Sequence, residues 1–272
     1  MNLKSFAVRF LVAAIFGPLI IVTVLLGKLY LLVFVGLIVL FSLFEFYQLT
    51  ATKGGHGQLI TGSLISLAIV CSFFFFGDRV VLPVIFVGLL AINFTELYRK
   101  RESPTLNLSV TLFGALFYSI QFGSFVLIRE LPNLDYSAAG TWLAMLILSI
   151  WLGDTAAYVL GSFLGRHKLI ERISPKKTTE GAVAGFLFTV LAAYICHLWF
   201  VEELTLVETL IFGGIAGLFS QYGDLFESMI KRDVGVKDSS KLIPGHGGIM
   251  DRFDSLTITA PVIYIYLKFF IL

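Results

Sequence analysis

Charged residues are scarce in this chain. Asp, Glu, Lys and Arg make up 14% of its 272 residues, whereas soluble globular domains carry about 25%. Hydrophobic residues make up 57%, and the mean hydropathy is +0.91. A soluble domain needs more polar surface than this, and a disordered chain contains far fewer apolar residues. The composition therefore predicts a polytopic membrane protein.

Cysteine is also rare, and the net charge is small. Cys71 and Cys196 lie in separate apolar stretches without metal-ligating neighbours, so we expect packing or lipid-facing roles for them. A net charge of +2 gives no reason to expect a nucleic-acid partner. Lys4 and Arg9 precede an apolar run as in a signal peptide, but no clear cleavage site follows. We therefore expect a retained first span.

Apolar runs bounded by charges or turn residues predict an all-α membrane protein with about nine transmembrane helices. Among the 20 Lys and Arg residues, only Lys28, Arg79, Arg129 and Lys268 fall on the side opposite the N-terminus. Because cytoplasmic loops are enriched in Lys and Arg, this asymmetry predicts a cytoplasmic N-terminus and an external C-terminus. The predicted spans cover about 7–26, 28–49, 58–76, 79–97, 106–128, 138–164, 180–200, 204–230 and 252–271.

The two halves of the chain differ in their polar content. Residues 1–130 form an N-terminal region of about five predicted spans, where we expect Glu45 and Glu96 to lie at the interface or to pair locally. Residues 131–272 form the predicted catalytic transmembrane region. Within it Asp154 lies in an apolar span, with Tyr158 one turn later, and an intramembrane Asp is a functional candidate by default. A hydrogen bond between helices is the alternative interpretation of Asp154.

The loop at 166–181 combines basic and hydroxyl residues. Ser174-Pro175 interrupts the chain, Lys176 and Lys177 follow, and residues 178–180 (Thr-Thr-Glu) are suited to cap the next helix. Two lysines beside a helix N-terminus form an anion site, because the helix dipole and its free N–H groups add to the lysine charges. A plain cytoplasmic loop attracted to anionic lipid remains the alternative.

Acidic residues concentrate near the end of span eight and at the start of span nine. Asp224, Glu227, Ser228 and Lys231 lie at i, i+3, i+4 and i+7 and share one helix face, a pattern that suits a hard cation. A local Glu227–Lys231 pair is the alternative. The Gly-rich turn at 244–248 resembles an anion-binding nest but lacks the Walker A pattern. Asp251 and Asp254 follow it and either join Asp224 at a shared metal site or cap the helix.

Carboxylates, lysines and Gly-rich backbone without a Ser–His–Asp or Cys–His set favour phosphoryl or nucleotidyl transfer. An ion-coupled transporter is the alternative from another class, although the polar groups cluster on one predicted membrane face. The stretches S-M-I-K-R-D-V-G-V-K-D-S-S-K-L-I-P-G-H-G-G-I-M-D-R-F-D (228–254), D-T-A-A-Y-V-L-G (154–161) and S-P-K-K-T-T-E-G (174–181) resemble the CDP-diacylglycerol synthases, the phosphatidate cytidylyltransferase family.

The resemblance implies a membrane enzyme of phospholipid biosynthesis that converts CTP and phosphatidic acid to CDP-diacylglycerol and pyrophosphate. It also implies Mg²⁺, a monovalent cation such as K⁺ in some members, a homodimer, and a multi-pass location in the cytoplasmic membrane with the active site facing the cytoplasm. A related transferase or kinase that acts on another lipid remains open.

The resemblance also implies roles for individual residues. Asp224 and Asp251 match metal-binding positions, with Glu227 and Asp254 as further candidates. The implied catalytic residues are Asp224, Asp251, Lys231, Lys237, His246 and Arg252. The implied substrate- or phosphate-binding residues are Asp154, Tyr158, Ser174, Lys176, Lys177, Thr178, Glu180, Ser228, Arg232, Asp238, Gly247 and Gly248.

Overall fold

The computed structural model describes residues 3–132, 134–243 and 247–272, with side chains from residue 14 onward. Most of this chain is helical, because the long apolar runs satisfy their backbone hydrogen bonds internally, as a bilayer demands. The helices are α1 (Leu3–Leu26), α2 (Lys28–Ala51), α3 (Leu59–Phe76), α4 (Val81–Tyr98), α5 (Pro104–Arg129), α6 (Tyr136–Leu164), α7 (Thr179–Trp199), α8 (Leu206–Asp233), α9 (Met250–Thr257) and α10 (Thr259–Tyr266).

Seven segments in the described part of the chain are long and apolar enough to cross a membrane. They are helices α2 to α7 and the segment Met250–Ile271, and a shorter apolar stretch covers Ala14–Leu26. The prediction of a helical polytopic membrane protein is therefore confirmed. The count of nine spans and the sides on which the termini lie stay predictions.

Two features depart from the predicted helices. Strands β1 (Lys168–Ile170) and β2 (Ser174–Thr178) pair as an antiparallel hairpin inside the loop between α6 and α7, so the chain is not helical throughout. The last predicted span is interrupted between α9 and α10 and ends in a π-helix (Leu267–Ile271). Pro261 explains the interruption, because it has no N–H to donate and its ring would clash with the Thr257 carbonyl four residues earlier.

The chain divides into two compact units. The first comprises Met1–Glu130 with Asp233–Phe253, and the second comprises Leu131–Arg232 with Asp254–Leu272. One of the three boundaries along the chain, between Phe253 and Asp254, falls within α9. The predicted functional division at residue 130 stays a prediction.

Buried polar contacts join the helices of the first unit. The Tyr47 hydroxyl donates to the Thr111 carbonyl at 2.9 Å. Arg129 is 2% exposed and donates to the carbonyls of Val24 and Leu25, each at 2.9 Å, at the C-terminal end of α1. Those carbonyls have no partner further along α1, so Arg129 supplies one and complements the helix dipole.

Close packing of small residues joins α6 to α7 in the second unit. A Cβ at Gly181 would lie 2.8 Å from the Ala157 carbonyl oxygen, and one at Gly185 would lie 2.9 Å from the Ala157 Cβ. Gly153 on α6 leaves room for the Thr189 side chain on α7 in the same way. This crossing, of the small-xxx-small type found in membranes, fixes the start of α7 beside α6.

Candidate active site

The turn from β2 into α7 is held by side-chain caps. Thr178 is the N-cap residue of α7, and its Oγ1 accepts a hydrogen bond from the Gly181 N–H at 3.2 Å. Glu180 reaches back to accept the Arg166 N–H at 3.0 Å and to pair with His167 Nδ1 at 2.6 Å. The predicted cap of this helix is confirmed at Thr178. The residues directly before it are held in the β1–β2 hairpin.

The two adjacent lysines of β2 have different surroundings. Lys177 is half-buried and forms an ion pair with Asp224 of α8, whereas Lys176 is exposed. Ser228, one turn after Asp224, places its hydroxyl 3.4 Å from Asp224 Oδ1. Arg232 at the end of α8 donates from Nε to the Ile173 carbonyl beside the hairpin at 3.2 Å. These contacts tie the hairpin to the end of α8, and the half-buried Ser174 opens β2 at this place.

Three carboxylates of the second unit interact electrostatically. The charge of Asp224 acts on both Asp154 of α6 and Asp254 of α9, and Asp154 also acts on Asp254. Gly223 lets α8 pass close to α9, because a Cβ at this position would collide with the Asp254 carbonyl oxygen. Like charges at short range are unfavourable unless a cation compensates them, and Lys177 and Lys231 supply positive charge.

The chemistry of this acidic cluster suits Mg²⁺, which prefers oxygen ligands. Within residues 3–132, 134–243 and 247–272, no group of three or more His, Cys, Asp or Glu side chains is arranged to hold a metal ion. Mg²⁺ is usually bound by one or two carboxylates together with substrate phosphates and water. A carboxylate such as Asp224 therefore fits the protein's share of such a site.

Glu227 and Lys231 form the local pair that the sequence left open. Lys231 Nζ lies 3.2 Å from Glu227 Oε1, and the two side chains are only 8% and 5% exposed. A buried pair of this kind is costly to break by removing one partner.

Tyr158, another predicted substrate-binding residue, is 78% exposed on α6.

The other predicted residues that the structure describes lie in the first unit, in the loop between α8 and α9 and at the start of α9. Asp251 Oδ2 accepts hydrogen bonds from the N–H groups of Ser239 and Gly248, both at 2.8 Å, and from the Ser239 hydroxyl at 3.0 Å. Asp251 thus holds residues 239 and 248 of this loop together. Lys237, Asp238 and Arg252 are exposed, and His246 lies outside the described residues.

The glycines of this loop are required by its geometry. Gly247 has a φ of +81°, a left-handed conformation that favours glycine. A Cβ at Gly248 would collide with the Ser239 hydroxyl and with the carboxylate of Glu45. The Gly248 N–H donates to Asp251 in this structure, and phosphate binding by either glycine stays a prediction.

Comparison with known proteins gives this arrangement a context. Residues 7–270 match the model of the cytidylyltransferase family. The chain belongs to the cytidylyltransferase family. A protein named phosphatidate cytidylyltransferase from Synechocystis sp. is 34% identical in an alignment 275 positions long that covers 89% of each chain. One of the same name from Staphylococcus aureus (strain COL) is 38% identical over 185 residues, 68% of each chain.

Another relative shares a shorter but more similar region with this cytidylyltransferase. The phosphatidate cytidylyltransferase of Staphylococcus saprophyticus is 44% identical over 120 residues, which cover 44% of this chain and 46% of that protein. The family membership makes the chain an enzyme, a nucleotidyltransferase, as its motifs predicted.

Sequence reasoning missed the contacts that Glu45 of α2 makes within the first unit. Glu45 is 1% exposed, and the expected local pairing is wrong. Its partners include Ser239 and Met250, which are distant in sequence. Glu96 does have a close partner in sequence, Arg99, whose Nη1 lies 3.0 Å from Glu96 Oε2. An isolated carboxylate in an apolar span was the available signal for Glu45, but nothing local indicated its partners.

Proposed function

We propose that this chain is a phosphatidate cytidylyltransferase, which converts CTP and phosphatidic acid to CDP-diacylglycerol and pyrophosphate in phospholipid biosynthesis. The observation that carries the proposal is the match, along 89% of both chains, with the Synechocystis protein of that name. The apolar helices support it further, because they keep a lipid substrate in the bilayer while its headgroup meets the polar residues.

The reaction needs no protein nucleophile. A phosphate oxygen of phosphatidic acid attacks the α-phosphorus of CTP in line, a new P–O bond forms, and the bond to the β-phosphate oxygen breaks to release pyrophosphate. The lipid phosphate is already anionic at neutral pH, so catalysis consists mainly of positioning and charge stabilisation.

The residues around the start of α7 bind the phosphates in this proposal. Lys176 is exposed to an incoming phosphate, and Lys177 exchanges its contact with Asp224 for a contact with CTP. The N–H groups of the first turn of α7 add a partial positive charge at the same place. Lys231 and Arg232 of the second unit would stabilise the departing pyrophosphate. The same role for Lys237 and Arg252, and a role for His246 in the glycine turn or at a phosphate, stay predictions.

We also propose that the enzyme depends on Mg²⁺. Asp224 would hold the ion in the second unit, and the participation of Asp251, Glu227 and Asp254 stays a prediction. A bound divalent ion would neutralise phosphate charge and polarise the P–O bonds. A second cation such as K⁺, a homodimer, and a site that faces the cytoplasm belong to the same proposal.

The acceptor lipid distinguishes this function from its alternatives. Purified protein in detergent micelles would be given CTP labelled at the α-phosphate together with either phosphatidic acid or a polyprenyl phosphate. We expect labelled lipid only with phosphatidic acid. Label in the polyprenyl lipid alone would indicate a related transferase instead.

A further inference from the structure

A buried carboxylate in the first unit binds the loop that carries several predicted active-site residues. Glu45 Oε1 accepts the Ser240 hydroxyl at 2.6 Å and the Ile249 N–H at 2.9 Å. Glu45 Oε2 accepts the Ser239 hydroxyl at 2.9 Å and the Met250 N–H at 3.0 Å. One side chain of α2 thus holds residues 239–240 and 249–250. We call the described residues 239–243 and 247–250 the clasped loop.

The clasped loop is bounded by the residues that matter for phosphate chemistry. Lys237 and Asp238 precede it, Gly247 and Gly248 lie inside it, and Asp251 follows directly. Asp251 shares the Ser239 hydroxyl with Glu45, because Ser239 Oγ lies 2.9 Å from Glu45 Oε2 and 3.0 Å from Asp251 Oδ2. A displacement of Glu45 would therefore be transmitted to Asp251 through one shared group.

We propose that Glu45 is a positioning residue of the cytidylyltransferase reaction, which sets the clasped loop and Asp251 in the geometry that the substrate phosphates require. This inference rests on the proposed function. It also gives the N-terminal helices a role, since the anchor for a motif near the C-terminus comes from α2.

The contacts require a carboxylate rather than an amide of the same shape. Each oxygen of Glu45 accepts one backbone N–H, from Ile249 on one side and from Met250 on the other. In Glu45→Gln the NH₂ group would face one of these N–H donors in either orientation, because an amide has a single acceptor oxygen. The backbone donors cannot rotate away, so the loop would move or lose a buried hydrogen bond.

Glu96→Gln provides a matched control. Glu96 is also a buried carboxylate of the first unit, but within the described part of the chain its donors are the side chains of Gln58 at 2.7 Å, Asn107 at 2.9 Å and Arg99 at 3.0 Å. Flexible side-chain donors can adjust to an amide, and none of them belongs to the clasped loop. This variant reports on the general cost of altering a buried carboxylate.

The test compares both variants with the wild type by two independent measurements. Steady-state formation of CDP-diacylglycerol gives kcat and KM for CTP. Limited trypsin digestion gives the cleavage rate at two exposed lysines, Lys237 just before the clasped loop and Lys241 within it. For Glu45→Gln we expect kcat to fall about tenfold or more and cleavage to accelerate severalfold. Glu96→Gln should leave the kcat of the folded enzyme and the cleavage rate near the wild-type values.

Ser240→Ala covers the case in which Glu45→Gln does not fold, because it removes one donor to Glu45 and leaves the carboxylate intact. It should accelerate cleavage at Lys241 and lower kcat in the same direction by a smaller factor. Unchanged kcat in the folded Glu45 and Ser240 variants would overturn the inference, even if cleavage accelerates. A wild-type protein that makes no CDP-diacylglycerol would instead contradict the proposed function, while the cleavage rates would still report on the anchoring of the loop.

Discussion

Lys177 and Lys176 are neighbours in sequence but differ in what they can do. Lys177 contacts Asp224 and is half-buried, so its charge already acts inside the acidic cluster, whereas Lys176 is exposed. The ion pair spans two elements and is shielded from water more than a surface pair, so it also holds β2 to α8.

Lys177→Gln should therefore be more harmful than Lys176→Gln. We expect the first variant to lose both phosphate stabilisation and the neutralising charge beside Asp224, with kcat/KM for CTP reduced about 100-fold. Lys176→Gln should raise KM for CTP with a smaller change in kcat. Initial rates over a range of CTP concentrations measure this difference, and equal losses in both variants would contradict the assigned roles.

Asp224→Asn tests the metal proposal at the same place. The amide keeps the size of the side chain but removes the negative charge, so we expect at least about a 100-fold loss of activity at saturating Mg²⁺. Asp233→Asn is a suitable control, because Asp233 is exposed and forms a surface ion pair with Lys53. Near-normal activity of Asp224→Asn would rule out its role as a metal ligand.

At the scale of single residues, the sequence indicated types of group more readily than their partners. The caps at Thr178 and the Glu227–Lys231 pair follow from spacings of three and four residues and could be predicted. The contacts of Glu45 could not, because they join positions about 200 residues apart and depend on how distant helices pack.

At the scale of secondary-structure elements, apolar run length predicted the helices well. Helices α2 to α7 follow the predicted spans to within a few residues, since a bilayer requires long uninterrupted hydrogen-bonded segments. The hairpin at 168–178 was missed, because strands of three and five residues in a polar loop leave no clear alternating pattern. The interruption between α9 and α10 is caused by Pro261. It was missed because the prediction of this span used only its apolar composition.

The close crossing of α6 and α7 makes a prediction at this scale. Gly181→Ala would bring a Cβ to 2.8 Å from the Ala157 carbonyl oxygen and 2.9 Å from the Gly161 Cα, and backbone atoms cannot move aside cheaply. We expect a loss of about 1–3 kcal/mol in the free energy of unfolding and reduced activity, because β2 and Lys177 lead directly into this end of α7. Thermal unfolding in detergent measures the stability.

Gly214→Ala on α8 is the control for that variant. A Cβ at Gly214 would meet nothing within 4 Å, and alanine is favoured over glycine inside a helix by about 0.5–1 kcal/mol. This variant should be as stable as the wild type or slightly more stable. If both alanine variants unfold at the wild-type temperature, the crossing does not constrain α7 as described.

At the scale of the whole molecule, the scarcity of charge predicted a membrane protein, and the position of the few charges predicted its chemistry. Charged residues are only 14% of the chain, yet Lys177, Asp224, Lys231 and Asp251 all lie half-buried or buried in specific contacts. Family membership over residues 7–270 agrees with that prediction. The assignment of residues 233–253 to the unit of the N-terminal helices had no counterpart in the sequence pattern.

The most direct test of the central claim follows two labels of CTP in one experiment. Purified protein with phosphatidic acid and Mg²⁺ would receive CTP labelled at either the α- or the γ-phosphate. A cytidylyltransferase must transfer the α-label to the lipid as CDP-diacylglycerol and release the γ-label as pyrophosphate in equal amounts. Transfer of the γ-label to lipid would indicate a kinase, and no labelled lipid from active, folded protein would contradict the proposed function.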